Sequence, residues 1–407
     1  MNLAATLPEL FALWQDESRK PNEDFIVALL GRVLAGASAQ NVSDVHFQPG
    51  KNGMEVRFRI DGVLHILGVL PSENISQIAA RLKVLGDLLT YKVDTPQEGR
   101  VRAGRVPGVT KQMRISTTPS LYGERVVVRF FAEEEKYKYL ADIGFSDDIR
   151  QGLLAAVRKN SGAVLVTGPA GSGKTTTAYA ILREIADHGE STRSIVTIED
   201  PIEHTLDGVS QTEITSQSEM TLERMIPYLM RQDPEVILVG EIRDRETAKG
   251  AFQAALTGHL LVSTFHAGSA VEAISRLFEM GLEPFVLRSS VSHVICQRLF
   301  RKLCSCAQIE RESLVLRIGE EERTFQDYAV PQGCEHCGGT GYSGRILVAE
   351  SLPLDKDDVL RLLLDLCDTA QLRKLALEHG MIPISSRVFS LLSEHKTSPQ
   401  EIRRVLG

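Results

Sequence analysis

Gly168 to Thr175 reads GPAGSGKT, and few stretches of eight residues restrict a fold as severely. It fits G-x-x-x-x-G-K-[ST], follows the apolar run AVLVT and precedes the helical stretch TTTAYAILREIA. A loop of that composition belongs where a buried strand turns directly into a helix, because glycines supply backbone torsions that other residues avoid. The pattern predicts a phosphate cradle. Gly168, Pro169, Ala170, Gly171, Ser172 and Gly173 wrap a triphosphate such as ATP with the N–H groups turned inward. Lys174 neutralises the β- and γ-phosphates, Thr175 ligates Mg²⁺ and Thr176 follows on the first helical turn. The alternative is a glycine-rich turn with a chance lysine, against which the strand and helix flanks argue.

The region around the loop repeats one pattern. AVLVTG, SIVTIED, VILVGE and LLVSTFH are apolar runs separated by helical stretches, which predicts an α/β fold with a parallel sheet wrapped by helices. Each run ends in a polar or glycine-rich segment, and ligands of open α/β sheets bind at the carboxyl ends of the strands. In QDPEVILVGEIRD the run Val236–Gly240 leads straight into Glu241. Charge is costly to bury, so a carboxylate there is expected to face the magnesium ion and its water shell beside the phosphate loop. A solvated strand-end carboxylate is the alternative. TIEDPIEH places Glu199, Asp200 and Glu203 after another strand, and Glu199 is the best placed to orient an attacking water. TGHLLVSTFHAGSA puts His259 before a strand and His266 after it. Arg231 precedes the Glu241 strand and is the nearest arginine to it on that side.

With 407 residues the chain has room for two or three domains. The reading divides it into a tail (1–23), a small α+β domain (24–132), a linker (133–145) and the phosphate-loop domain (146–407). Alternation in VSDVHFQPG, MEVRFRIDGVLHILGVL, KQMRIST and ERVVVRFF marks strands of the first domain, and ISQIAARLKVLGDLL marks a helix. The composition, 43% hydrophobic and 24% charged, is that of a globular protein, and a net charge of −7 gives no reason to expect nucleic acid. The opening residues do not read as a secretory leader and no run of about 18 apolar residues occurs, so a cytoplasmic location is expected.

Taken in order and spacing, GPAGSGKT, TIEDPIEH, RQDPEVILVGEIRD and TGHLLVSTFHAGSA resemble the Walker A, Asp box, Walker B and His box of secretion ATPases. These are the hexameric motors of type II secretion, type IV pili and DNA uptake. The resemblance covers about residues 24–407, continuing through SDVHFQP, PQEGR, MRISTTPSLYGERVVVRF, VICQRLFRKLC and GMIPISSRV. It implies a PAS-like first domain and a RecA-like second one. It makes Glu199 the Asp-box glutamate and Glu241 the Walker B glutamate, and it has His259 and His266 couple nucleotide state to domain movement. Arg100 in QEGR and Arg114 in MRIST become the arginines brought to the γ-phosphate. The implied assembly is a homohexamer at the cytoplasmic face of the inner membrane, bound to cytoplasmic domains of a membrane platform protein. Its work would be pilus or pseudopilus assembly. A retraction motor, a DNA-translocating ATPase and an ATP-binding scaffold are the alternatives. Two departures stand out: Pro227 where the family often has arginine, and Ala267-Gly268 after the His-box histidine.

Of six cysteines, four lie between Cys304 and Cys337. Cys334-x-x-Cys337 followed by Gly-Gly-x-Gly resembles a zinc knuckle, whereas Cys304-x-Cys306 is one residue tighter than the usual pair. A structural Zn²⁺ site within residues 300–345 is expected, with four free buried cysteines as the alternative. The family's assembly members carry a tetracysteine subdomain here and its retraction members generally lack one. Cys296 and Cys367 lie in apolar patterns and are expected in the core.

Overall fold

The computed structural model describes residues 23–40, 42–131, 137–188, 192–214, 220–354 and 369–407. The tail through residue 22, the first part of the expected linker and Cys367 lie outside the described residues. The chain forms two compact units. One comprises Met1–Glu133 with Arg301–Ile309 and Ala329–Gly344, and the other Glu134–Phe300 with Glu310–Tyr328 and Arg345–Gly407.

The first unit is an antiparallel sheet carrying two helices. α1 (Glu23–Ala39) leads into β1 (Asp44–Gly50), β2 (Gly53–Ile60) and β3 (Val63–Leu70), then α2 (Ile75–Leu85), β4 (Gln97–Val101), β5 (Met113–Ser120) and β6 (Gly123–Phe130). The strands lie in the order β3-β2-β1-β6-β5-β4. Asp61 and Gly62 both have positive φ, the primed turn that a tight hairpin between right-twisted strands demands. One face of the sheet, including Val45, Phe47, Val56, Phe58, Ile115, Val126 and Val128, buries Leu30 and Leu34 of α1 and Ile78 and Leu82 of α2. Lys83 is also fully buried on α2. It survives there because it pairs with Glu124 and donates to the Lys92 carbonyl at 2.7 Å.

The second unit opens with α3 (Leu140–Ile143) and α4 (Asp147–Val157), followed by β7 (Gly162–Thr167), α5 (Lys174–His188), β8 (Ile195–Glu199), β9 (Ser210–Glu213) and α6 (Leu222–Leu229). Then come β10 (Val236–Ile242), α7 (Arg245–Leu256), β11 (Leu260–Phe265), α8 (Ala270–Glu279), α9 (Pro284–Ser290) and the long β12 (Val291–Leu303). With the later strand β17 (Tyr342–Pro353) at one edge, the sheet order is β17-β12-β7-β11-β10-β8-β9, with β12, β7, β11, β10, β8 and β9 running parallel. Alternate residues of the apolar runs serve opposite faces. Val164, Val166, Val236, Leu238, Leu260 and Val262 pack on α5, while Leu165, Ile237, Val239 and Leu261 face α7 and α8. Both sets are buried, so these strands read as unbroken apolar stretches.

Beyond β12 the chain makes β13 (Gln308–Glu310), the hairpin of β14 (Leu314–Ile318) and β15 (Glu321–Phe325), β16 (Tyr328–Val330) and β17 (Tyr342–Pro353). It ends in α10 (Thr369–Glu378), α11 (Ile384–Ser393) and α12 (Pro399–Leu406). The two units divide residues 300–345 between them. The hairpin buries Leu316 and Phe325 against Phe389 and Leu392 of α11, whereas Gly344 N donates to Asp61 Oδ2 at 3.0 Å within the first unit.

Candidate functional site

β7 is buried along its whole length and delivers Gly168 at its carboxyl end. Gly168 has φ +143, and a Cβ there would lie 2.5 Å from the Gln297 carbonyl oxygen and 2.6 Å from Ser172 Oγ, so only glycine fits. The loop rests on β12. Gln297, fully buried, donates to the Ser172 carbonyl at 2.8 Å and accepts from Thr177 Oγ1 at 3.0 Å. α5 begins at Lys174, whose Nζ donates to the carbonyls of Gly168 at 3.0 Å and Pro169 at 3.1 Å. Burial lowers the pKa of Lys174, against the opposing charge of Glu241. Pro169, Ala170, Gly171 and Thr176 are exposed at the rim, and Gly173 and Thr175 are half-buried. Ser172 Oγ is buried with no hydrogen-bond partner among the described residues. An orphaned hydroxyl in a glycine loop at the head of a helix fits an anion such as phosphate.

Glu241 stands at the carboxyl end of β10, its side chain 17% exposed. Gly240 before it passes so close to β8 that a Cβ would meet Glu199 Cα and the Ile198 carbonyl at 3.3 Å. The β10–β11 register slips between Val239 and Ile242, which turns Glu241 out of the ladder. Its Oε1 lies 2.6 Å from His266 Nε2 and its Oε2 accepts from Arg243 Nε at 2.5 Å. His266 is held just before α8. Ser269 caps that helix, accepting from Glu272 N at 3.0 Å, and the buried Glu350 accepts from Ala270 N at 2.7 Å. Arg243 also reaches Asp200 of the Asp box at 3.7 Å. One carboxylate thus ties Walker B to the His box, and one arginine ties it to the Asp box.

Glu199 ends β8, 3% exposed, and accepts three side-chain bonds. These come from Tyr179 Oη of α5, from Thr197 Oγ1 at 2.7 Å and from Gln211 Nε2 at 3.1 Å. Burial, reinforced by the Glu199 charge, pushes the Tyr179 pKa up. Glu199 is therefore a fixed carboxylate, and with about four lone-pair sites for these three donors it keeps capacity to accept from a water.

Other expected site residues lie elsewhere. His259 sits at the amino end of β11, one strand of about 20 Å from His266. Its Nδ1 lies 2.9 Å from the Ala254 carbonyl, a bond that fastens the end of α7. Arg231 stacks on Tyr228 at 5.6 Å and donates to the Pro227 carbonyl at 3.4 Å, beside a surface cavity of ≈ 770 Å³ along α6. In the first unit, Arg100 on β4 and Arg114 on β5 are direct cross-strand partners, and Arg114 pairs with Glu98 at 3.1 Å. Like charges set opposite one another destabilise a strand pair, which fits a surface meant for an anion.

The four cysteine sulfurs converge within 4.8 Å of one another. Cys304–Cys334, Cys306–Cys337 and Cys334–Cys337 are separated by 3.8, 3.9 and 3.7 Å. A tetrahedral thiolate site with Zn–S bonds of about 2.3 Å sets sulfurs about 3.8 Å apart. Cys337 Sγ also accepts from Cys334 N at 3.1 Å and Gly341 N at 3.2 Å, the backbone pattern of a knuckle folded around a thiolate. The C-x-C pair spans the site despite its tight spacing. Cys296, in contrast, is fully buried core, and burial raises its pKa to about 11.

Gln297, Arg243 and Tyr179 were not anticipated from the sequence. A glutamine inside the apolar run VICQRLF is a signal, since a buried amide needs partners. Arg243, two residues after Glu241, shares its side of the strand.

The family model described as type II/IV secretion system protein matches residues 19–402. The type IV pilus assembly ATPase TfpB of Acinetobacter baylyi is 35% identical over 405 residues, covering 98% of this chain and 68% of that protein. The type II secretion system protein E of Pseudomonas aeruginosa is 41% identical over 356 residues, covering 87% and 69%. The type IV pilus assembly ATPase PilB of Thermus thermophilus is 36% identical over 381 residues, covering 91% of this chain but 42% of that longer protein. Among solved structures, the ATPase DotB of Legionella pneumophila superposes with a TM-score of 0.68 at 22% identity, covering 93% of this chain and 95% of that one. The pilus retraction motor PilT with bound ADP gives 0.57 at 24%, covering 92% and 98%. At these identities the structural likeness is one of fold.

Proposed function

The chain belongs to the type II/IV secretion system protein family, and from that premise we propose that it is an ATP-hydrolysing motor that powers assembly of a type II secretion pseudopilus or a type IV pilus. It works as a homohexamer at the cytoplasmic face of the inner membrane, docked on cytoplasmic domains of a platform protein, with no role for nucleic acid. The observation that carries this reading is a phosphate loop with Lys174 aimed into it on a sheet whose strand ends bring Glu241, His266 and Arg243 together. Lys174 exchanges its bonds to Gly168 and Pro169 for phosphate oxygens, and Ser172 Oγ gains a partner. Thr175 and Glu241 would hold Mg²⁺, which when bound would spread positive charge over the phosphates. Glu199 orients the attacking water, and His266 relays the position of Glu241 to the His-box segment. Arg100 and Arg114 supply positive charge to the transition state. Steady-state phosphate release from Mg-ATP tests the reading: saturable turnover supports it, and none at any magnesium concentration overturns it.

A retraction motor is the alternative that the family resemblance leaves. The cysteine quartet favours assembly, because the family's assembly members carry one. We propose that Cys304, Cys306, Cys334 and Cys337 hold Zn²⁺, which with four thiolates has a structural role. About one zinc per chain is expected by elemental analysis of protein purified without chelator. Cys334→Ser is expected to lose the metal and to open residues 300–345 to protease, since the binding energy of such a site is folding energy. Metal-free wild-type protein would contradict this.

A further inference from the structure

We infer that Arg243 is a positioning residue that competes with magnesium for the Glu241 carboxylate and passes to Asp200 when that carboxylate turns to the metal. The inference rests on the ATPase reading above.

Both Glu241 oxygens are engaged, Oε1 with His266 and Oε2 with Arg243 at 2.5 Å. A carboxylate serving a hydrated magnesium ion does so best with its full negative charge, which both partners now share. Arg243 is the partner that can leave cheaply, because its side chain is 59% exposed and its head stays in water wherever it moves. It also has somewhere to go. Asp200, 48% exposed, lies 3.7 Å from its guanidinium and extends the neighbouring strand β8. Asp200 and Glu241 therefore stand on adjacent strand ends beside the phosphate loop, with one arginine shared between them. A guanidinium on Oε2 offsets the negative charge that would draw the metal, so metal binding is weaker while it stays there. Moving it to Asp200 preserves an ion pair and lowers that cost.

The predictions run in opposite directions for the two ends of the switch. Free Mn²⁺ is read by electron paramagnetic resonance as it binds in the presence of ADP, alongside the Mg²⁺ dependence of turnover. Arg243→Gln lowers the half-saturating Mn²⁺ concentration about three- to tenfold, the range left to a charge-assisted bond after solvent screening. Arg243→Lys, which keeps the charge and loses the planar fork, falls between Gln and wild type. Asp200→Asn raises the half-saturating value, because the arginine then has Glu241 alone. The metal affinity is read whatever happens to kcat, and thermal unfolding confirms that each variant is folded. A value unchanged or raised in Arg243→Gln overturns the inference, as does one that fails to rise in Asp200→Asn. Wild-type protein that binds neither ADP nor ATP would instead overturn the ATPase reading, and this inference with it.

Discussion

Lys174→Ala loses ATP affinity by a hundredfold or more, with the fold retained. The residue is 8% exposed and its ammonium already makes two hydrogen bonds to loop carbonyls, so it is aimed at the cradle before any phosphate arrives. Bonds between charged partners contribute about 1.5–3 kcal/mol each, and a loss of about 3 kcal/mol is a hundredfold in Kd. The loop itself keeps its shape from other sources: Gln297 still grips the Ser172 carbonyl and Thr177. Isothermal titration with ATP, paired with thermal unfolding, checks this. Equal affinity in wild type and Lys174→Ala would refute the phosphate-loop assignment.

Arg100→Ala and Arg114→Ala are each expected to cut turnover by about 10³ while leaving nucleotide affinity and hexamer assembly in place. A loose phosphoryl-transfer transition state spreads negative charge, and an arginine there supplies rate enhancement of that order. Arginine suits the task because its fork grips two oxygens and stays charged. The register β4–β5 sets these two like charges opposite each other, with Glu98 paired to Arg114 beside them. Thermal unfolding of each variant, run beside turnover, separates a lost catalytic charge from a lost structural contact. If each serves a neighbour's ATP, mixing Arg114→Ala with Glu241→Gln subunits restores some activity through the mixed interfaces. Unchanged turnover in both arginine variants would rule out this role.

Local chemistry made the phosphate loop legible, since only a strand–glycine loop–helix satisfies GPAGSGKT. The parallel sheet was legible for the same kind of reason, because strands buried on two faces read as unbroken apolar runs. What escaped depends on pairing across the sheet. The sequence put His259 before an apolar strand and His266 after it, as β11 holds them, but that His266 meets Glu241 depends on β10 lying alongside. Glu199 announced itself as a strand-end carboxylate, while its donors arrive from α5, β9 and its own strand. Arg243 stood in plain view, but its choice between two carboxylates depends on the β10 slip and on β8 lying alongside. The C-x-C spacing argued against a four-sulfur site, and the closure of Cys304 and Cys306 onto Cys334 and Cys337 is a long-range fact no spacing rule contains.

The central claim is that Glu241 serves hydrolysis at a nucleotide held by the phosphate loop. Single-turnover phosphate release from radiolabelled Mg-ATP, with wild type and Glu241→Gln side by side, tests it most directly. The substitution keeps the shape of the side chain and removes its charge. Both proteins are expected to retain ATP with similar affinity, with the variant releasing phosphate at least about 10²-fold more slowly than wild type, in the range expected when a group acting on the transition state is removed. Phosphate release at the wild-type rate from Glu241→Gln would contradict it.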